Sequence, residues 1–233
     1  MATVHLRPNS RSTGERRRQQ ILTVATELFA EHGFKGTTTR HIAERAGVNE
    51  AIIFRHFPTK EDLYWAVIEH KCEEGRGLGM LRQRLASGAS YREIFAGIAE
   101  DYLRLRERDF TLGRLLLFTA LENHRLTDRF FRSHIAELYE ELAQYIRQQI
   151  VKGKFRDVDP LLAARAFWGM FVYHFLVQEL FSGKQYQKLD AGQVSEVLAD
   201  IWLQGLLPEK GEGRMENGAK EKRGSRKAEK DDQ

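Results

Sequence analysis

The chain has little cysteine, little proline and no long apolar run, and each shortage argues against one kind of structure. A single cysteine, Cys72, allows no internal disulfide and fits a reducing compartment, so we expect a cytoplasmic location. Four prolines and the absence of strand-like alternation favour helices. The N-terminus lacks the apolar core of a signal peptide, and no stretch approaches about 18 uninterrupted apolar residues, so we expect no membrane partner.

Motifs of catalysis are also missing. The eight histidines form no HExxH motif and no cluster with the cysteine, so no metal is expected. There is no GxSxG nucleophile elbow, no P-loop and no dinucleotide fingerprint. The sequence therefore predicts a protein that is not an enzyme and that needs no cofactor.

What the chain does have is a basic N-terminal end. Residues 1–60 contain ten Lys or Arg against five Asp or Glu, whereas the remainder contains 27 against 28. A basic segment on a nearly neutral body favours an anionic partner, with nucleic acid first and a membrane surface second. A mildly basic, solvated helix is the plainer alternative, and charge alone does not separate the two.

Nearly every segment has the apolar periodicity of a helix, so the fold is predicted to be all-α. Beyond a glycine-rich interval at Gly75 to Gly79, which we expect to loosen the chain, helices are predicted at about 90–108, 110–122, 127–152, 160–182 and 191–207. Asp159 followed by Pro160 is a strong start signal. Beyond Pro208 the chain is charged and almost free of apolar residues, which predicts disorder at 208–233.

The segment TTTRHIAERAGVNEAIIFRHFPTKEDL, from residue 37 to 63, has the features of a helix-turn-helix. Two short helices that cross steeply need a tight turn, which Gly47 can form, and a small residue at their contact, which Ala43 supplies. The apolar seam is predicted to consist of Ile42, Val48, Ile53 and Phe57. An ordinary helical hairpin that binds no nucleic acid is the alternative.

In a helix-turn-helix the second helix enters the major groove, and its first residues meet the base edges. The residues that the second helix would present outward are Asn49, Glu50, Ala51, Phe54, Arg55 and His56. Thr38, Thr39 and Lys60 stand at helix starts, where hydroxyls, backbone amides and the helix dipole suit phosphate. Glu50 can accept a hydrogen bond from cytosine N4, and it repels phosphate.

Residues 16–68 resemble the DNA-binding domain of TetR/AcrR-type regulators. The resemblance rests on "LFAEHGFKGTTTRHIAERAGV" and on "FRHFPTKEDL". It implies a flexible arm at 1–14, a three-helix DNA-binding domain at 15–60 and a helical effector-binding and dimerisation domain at 61–207. It also implies that Arg40 contacts a guanine edge or the backbone and that Lys60 anchors a phosphate. Two hydroxyls common in the family are absent, because Ile52 and Phe54 stand where threonine and tyrosine are usual.

The same resemblance implies a homodimer on a pseudo-palindromic operator, which acts as a repressor released by a small-molecule effector. The last two long helices would pair across the two-fold axis. The predicted interface residues are Leu162, Ala166, Phe167, Met170, Val194, Leu198, Ile201 and Trp202. The predicted effector-pocket residues are Tyr102, Phe118, Glu122, Tyr139, Trp168, Phe171, His174 and Phe175. Both sets could instead be plain intramolecular core, since apolar stripes on helices usually are.

Two other classes of protein remain possible at this point. An enzyme is disfavoured by the missing motifs. A helical interaction or membrane-surface protein without sequence-specific DNA binding would explain the basic N-terminus. It would not explain the glycine turn and the short helix that follows it.

Overall fold

The computed structural model describes residues 10–75, 77–122 and 125–208, and every regular element in these ranges is helical. The predicted all-α fold is thereby confirmed. The flexible arm predicted at 1–14 is too long, because residues 10–14 belong to the first helix, while residues 1–9 and the charged tail from residue 209 lie outside the described residues. In chain order the α-helices are α1 (Ser10–Gly36), α2 (Thr39–Ala46), α3 (Glu50–His56), α4 (Lys60–Gly75), α5 (Gly77–Leu85), α6 (Tyr91–Arg108), α7 (Thr111–Leu121), α8 (Leu126–Phe130), α9 (Ala136–Val151), α10 (Pro160–Glu179) and α11 (Ala191–Gln204).

Side-chain caps set several of these helix starts. The Asp159 carboxylate accepts from the Leu162 N–H at 2.8 Å, with Pro160 in the first turn, as the sequence predicts. Asp190 caps α11 in the same way by accepting from Gly192 and Gln193. Because each cap satisfies N–H groups that the helix leaves unpaired, the starts of these two helices are encoded locally.

The helices pack into two hydrophobic cores. The head core consists of the buried residues of α1 to α4 together with Leu112 and Leu115 of α7 and Leu126 and Phe130 of α8. The body core consists of the buried residues of α5, α6, α9, α10 and α11, with Phe155 from the loop after α9. The N-terminal helices therefore share their core with α7 and α8, which lie far along the chain. The core does not end at the predicted domain boundary after residue 60.

Two stretches differ from the sequence-based expectation. In the glycine-rich interval, Gly77 to Gly79 are not loose, because Gly77 to Leu85 form α5 and Leu81 is only 2% exposed in the body core. Burial of that face outweighs the low helix propensity of glycine. The helix predicted at 127–152 contains a π-helical turn at Phe131–Ile135, which separates α8 from α9. Such turns insert an extra residue and frequently occur at functional sites.

One described helix, α10, is long and apolar enough to cross a membrane by length and composition. A single such helix is weak support for a membrane span, because core helices of soluble proteins pass the same test. Phe167 and Phe171 of α10 are fully buried in the body core, but only 28% of its apolar window is buried in the single chain. A large part of the apolar surface of α10 is therefore exposed.

Candidate nucleic-acid interface and adjoining cavity

The turn between α2 and α3 has the geometry that the sequence predicts. Gly47 adopts a left-handed conformation with φ 62° and ψ 38°, which ends α2. The N–H of Val48 then donates to the Ala43 carbonyl at 3.0 Å. Ile42, Ala43 and Ile53 are buried in the seam. The short second helix is thus packed on the first, and Ala51, Phe54 and Arg55 on its outer side are exposed.

Hydrogen bonds between close neighbours fix the helix starts in this region. The Thr38 hydroxyl accepts from the His41 N–H at 3.1 Å, and the Asn49 side chain accepts from the Ile52 N–H at 3.0 Å. At α4 the Thr59 hydroxyl accepts from the Asp62 N–H, and Asp62 accepts from the Thr59 N–H, both at 3.0 Å. Thr38 and Asn49 therefore act as caps in the DNA-free chain, while their predicted DNA contacts stay predictions.

The outer face of α3 carries the residues predicted to read bases. Ala51, Phe54 and Arg55 are exposed, and the Phe54 ring is 43% accessible. His56 is half-buried beside the Phe57 ring. Glu50 is also half-buried, because the Thr39 hydroxyl donates to its Oε1 at 2.6 Å. The sequence analysis did not foresee this bond, which fixes the direction of the carboxylate.

The basic groups around α3 differ in how freely they could reach phosphate. Arg40 is fully exposed and pairs with Glu44 one turn on, with Nε to Oε1 at 2.9 Å. The Lys60 ammonium lies 4.2 Å from the centre of the Phe34 ring and is half-buried. Burial lowers the pKa of Lys60, and the charge of Glu122 opposes that shift. Arg40 is therefore available to DNA as it stands, whereas Lys60 would have to leave an aromatic face.

Behind the head lies an apolar cavity of about 630 Å³, within the range of about 300–1,000 Å³ that small-molecule sites occupy. Its wall is formed by α4 to α10 and by the π-helical turn, which contributes Phe131, His134 and Ile135. Among the residues predicted for an effector pocket, the wall includes Tyr102, Tyr139, Trp168 and Phe175.

The other four predicted pocket residues are not part of this cavity. Phe118 and Glu122 lie at the far end of α7 against Gly33 of α1. Phe171 is fully buried between neighbouring rings of the body core. His174 is half-buried on α10 away from the cavity wall, although the aromatic residue that follows it, Phe175, belongs to the wall. Helical periodicity identifies an apolar face, but it does not tell which turn of that face borders a void.

The contact between α1 and the end of α7 is close. Gly33 has φ 72° and ψ −178°, and an added Cβ would lie 2.6 Å from Glu122 Oε1 and 2.8 Å from Phe118 Cδ1. Both carboxylate oxygens of Glu122 accept from the Lys35 N–H at 3.2 Å. The backbone of α1 thus leaves helical geometry where it meets α7. The freed N–H of Lys35 donates instead to the Glu122 carboxylate.

A second set of bonds joins α7 to the head. The Tyr64 hydroxyl donates to the Leu115 carbonyl at 2.9 Å and lies 2.8 Å from the Thr119 hydroxyl. Burial raises the pKa of Tyr64 to about 12, so the phenol keeps its proton at neutral pH. The Arg114 Nε donates to the Ala30 carbonyl at 2.7 Å. The helix α7 is therefore bound to both α1 and α4 of the head.

An exposed short helix beyond a tight glycine turn, at the basic end of an all-helical chain, defines a DNA-binding transcription regulator of the helix-turn-helix class. Two family models match this chain. "Bacterial regulatory proteins, tetR family" covers residues 21–67, and "AefR-like transcriptional repressor, C-terminal domain" covers residues 96–201. The chain belongs to the TetR family of bacterial regulatory proteins.

Individual relatives agree with this assignment. The chain is 30% identical over 176 residues to the HTH-type transcriptional repressor Rv1474c of Mycobacterium tuberculosis, which spans 75% of this chain and 88% of that protein. It is 31% identical to the HTH-type transcriptional regulator RutR of Escherichia coli K12, over 64% of this chain and 72% of that one. A TetR/AcrR-family regulator from Thermobifida fusca YX-ER1 superimposes with a TM-score of 0.59 at 26% identity, covering 82% and 98% of the two chains. The family and these relatives are transcription regulators, not enzymes.

Proposed function

We propose that this chain is a repressor that binds a pseudo-palindromic operator as a homodimer and leaves it when a small molecule enters the cavity. The observation that carries the proposal is the position of α7, which lines the cavity and is bonded to the head. Operator DNA of a bacterial regulator lies in the cytoplasm, so we propose that location as well. Repression is also the activity named for the M. tuberculosis relative.

Base reading in this proposal belongs to the exposed face of α3. Glu50, Ala51 and Phe54 would meet base edges, while Arg40 and Arg55 would contact phosphate or guanine. Thr38, Thr39, Asn49, His56 and Lys60 would support these contacts from the helix starts and the end of α3. The exposure of Arg40, Ala51, Phe54 and Arg55 supports the proposal, because none of them has to leave a core to reach DNA.

The helix α7 supplies a path from the cavity to the head. Gly113, Leu116 and Leu117 belong to the cavity wall, whereas Leu115 accepts the hydrogen bond from Tyr64 of α4. A ligand that pushes α7 would move these bonded partners with it. The spacing of two heads in a dimer would change, and with it the fit to two half-sites about 34–36 Å apart, or a multiple of that distance.

The homodimer is proposed to form through the exposed apolar surface of α10 and α11. Leu162 is 61% exposed and Ile201 is 58% exposed, and both lie on that surface with Ala166. Met170 and Leu198 are half-buried beside it. Three residues predicted for the interface, Phe167, Val194 and Trp202, belong instead to the body core with exposures of 0%, 7% and 7%. We correct the proposed interface accordingly, because Phe167 and Trp202 pack against the Phe95 ring of α6 and Val194 is buried in the same core.

The operator proposal can be tested by selecting bound duplexes from a randomised pool with the full chain at moderate salt. We expect one enriched palindrome, which the double variant Arg40→Ala/Arg55→Ala no longer enriches. Arg132→Ala is the matched control, since Arg132 also forms an exposed ion pair with an acid one turn away, with Nε to Asp128 Oδ1 at 3.0 Å. No enrichment by the wild type, or an equal enrichment by the double variant, would remove the assigned interface.

The dimer proposal can be tested by sedimentation at micromolar concentration. We expect the wild type to be a dimer and Ile201→Asp to be a monomer with at least tenfold weaker operator binding, because a buried carboxylate in an apolar interface is costly. Val151→Asp is the control, as Val151 is 83% exposed on α9 and is not part of the apolar surface of α10 and α11. A monomeric wild type, or a dimeric Ile201→Asp, would contradict the proposed interface.

A further inference from the structure

The cavity has a polar end, which the sequence analysis did not identify. Tyr102 lies between two groups that can donate hydrogen bonds. The Trp168 ring packs edge-on against it with centroids 5.6 Å apart, and the Arg106 guanidinium carbon lies 5.5 Å from the Tyr102 ring centre. All three residues belong to the cavity wall, which is otherwise mainly aliphatic and aromatic.

The charges in the wall are not equally free. The Asp101 carboxylate is held by both Nε and Nη2 of Arg84, at 2.8 and 3.0 Å. Glu137 lies 3.5 Å from Arg82 Nη2. Glu73 is exposed to solvent. In contrast, Arg106 is half-buried and forms no ion pair with any residue in 10–75, 77–122 or 125–208. Within the described part of the wall, Arg106 is therefore the half-buried charge that lacks a counterion, whereas Glu73, which also forms no ion pair there, faces solvent.

The same wall contains polar nitrogens without partners. Trp168 is 8% exposed, and its indole N–H forms no hydrogen bond with the described residues. His134 Nε2, on the π-helical turn, is buried and equally unpaired within that part of the chain. Burial raises the pKa of Tyr102, while the charge and hydrogen bond of Arg106 oppose that shift, so the phenol keeps its proton at neutral pH. A buried donor left unpaired is unfavourable, and a bound acceptor would remove that penalty.

We infer that the cavity takes an amphiphile with one carboxylate, whose anion is bound by Arg106 at the Tyr102–Trp168 end and whose apolar body fills the rest. This inference rests on the proposed function of the cavity as an effector site. A planar guanidinium suits a carboxylate better than it suits a neutral group. A cationic amphiphile would be repelled by the unpaired charge of Arg106. The acidic residues of the wall that could bind it are already paired with Arg82 and Arg84 or are exposed to solvent.

The inference can be tested by calorimetry on the full chain with three probes that share one alkyl chain: decanoate, decanol and decylamine. We expect decanoate to bind about 10- to 100-fold more tightly than decanol, as a hydrogen bond to a charged group would give. We expect decylamine to bind most weakly. Added to the operator complex, decanoate should release the DNA at the lowest concentration.

Variants assign the effect to the named groups. Arg106→Gln should reduce decanoate binding by about tenfold or more and leave decanol unchanged, while Arg106→Lys should restore part of the difference. Trp168→Phe keeps an aromatic ring but removes the indole N–H, so it should weaken the binding of decanoate and of decanol alike. Arg108→Gln is the matched control, because Arg108 is exposed on the same helix and lies outside the cavity wall.

The outcomes separate this inference from the function on which it rests. If the three probes bind equally and Arg106→Gln changes nothing, the preference for a carboxylate is overturned, while the cavity remains an effector site. If none of the probes binds, the inference is overturned together with the assignment of the cavity. A tenfold preference that Arg106→Gln abolishes and Arg108→Gln preserves would support the inference.

Discussion

The DNA-binding head and the cavity behind it differ in how their side chains are held. In the head, Thr38, Asn49 and Thr59 bond to groups three residues away, so the surface of α3 is fixed by its own neighbours. The cavity wall draws on seven helices between Cys72 and Leu176, and its polar groups at Trp168 and His134 have no partner among the described residues. The surface of the head is therefore held by local hydrogen bonds, whereas the described cavity wall keeps polar groups that a bound molecule could satisfy.

In the proposed mechanism, ligand binding in the cavity has to be transmitted to the DNA-binding head, and α7 is the helix that contacts both. The helix α7 has Leu112 and Leu115 in the head core, and its residues Gly113, Leu116 and Leu117 border the cavity. At its two ends the chain is tied to the head by Asp109 near its start and by Glu122 just beyond its end. A substitution that breaks either of these contacts tests whether the stability of the head depends on α7.

The largest effect is expected at Gly33. Its backbone lies in a region that is essentially restricted to glycine, and an added Cβ would lie 2.8 Å from Phe118 Cδ1. Gly33→Ala should lower the free energy of unfolding by about 2–3 kcal/mol, measured in urea. It should also weaken operator binding, because α1 could no longer seat on α7.

Gly14→Ala is the matched control for this prediction. Gly14 lies in the same helix, and nothing is within 4 Å of the position of an added Cβ. This change should leave stability unchanged or raise it by about 0.5–1 kcal/mol, as expected for alanine in a helix. If Gly33→Ala and the wild type were equally stable, the contact between α1 and α7 would accommodate the added methyl group. The head would then be stabilised by its own helices alone.

A smaller effect is expected at Asp109, which lies between α6 and α7, accepts from the first N–H of α7 and joins that helix to α4. Its Oδ1 accepts from the Thr111 N–H at 2.8 Å, and its Oδ2 accepts from the Lys71 ammonium. Burial alone would raise the pKa of Asp109, but the bonds from Lys71 and Thr111 outweigh burial and bring it to about 2. Because this pKa is lowered in the folded chain, the stabilisation is present above pH 4 and is lost as the pH falls toward 2.

Asp109→Asn should therefore lower the free energy of unfolding at pH 7 by about 1 kcal/mol, a figure kept small because the carboxylate is partly exposed. The difference between variant and wild type should shrink between pH 4 and pH 2. Asp128→Asn serves as the control, since its ion pair with Arg132 is exposed and should contribute less than about 0.5 kcal/mol. A difference that stays constant down to pH 2 would show that Asp109 acts without its charge.

The sequence predicts the turn and the helix starts of the head better than the wall of the cavity, and the hydrogen bonds explain why. Gly47, Asn49 and Thr59 act over three or four residues, so a short window of sequence contains the whole interaction. The contacts of Glu122 with Lys35 and of Lys60 with Phe34 join residues that are far apart in the sequence, so no local sequence pattern predicts them. For the same reason half of the predicted pocket residues are absent from the cavity wall.

An effect on base discrimination, and not on stability, is expected at Thr39, whose hydroxyl could serve either of two roles. The sequence predicts that Thr39 contacts phosphate, but its hydroxyl has a single proton, which is donated to Glu50 in the DNA-free chain. If that bond persists on DNA, Thr39 positions the carboxylate that reads cytosine. Thr39→Val would then reduce discrimination between the selected operator and its variants at the Glu50 contact by about 1 kcal/mol, and Thr39→Ser would restore it.

Binding to the operator and to random duplex separates the two roles. A positioning role predicts that Thr39→Val loses base preference and that Glu50→Ala loses more of it, with random DNA bound more tightly because a carboxylate no longer repels phosphate. A phosphate contact predicts instead that Thr39→Val weakens binding to all sequences equally and leaves the preference intact. The second result would mean that the bond to Glu50 breaks on DNA, so that the head also rearranges to fit its partner.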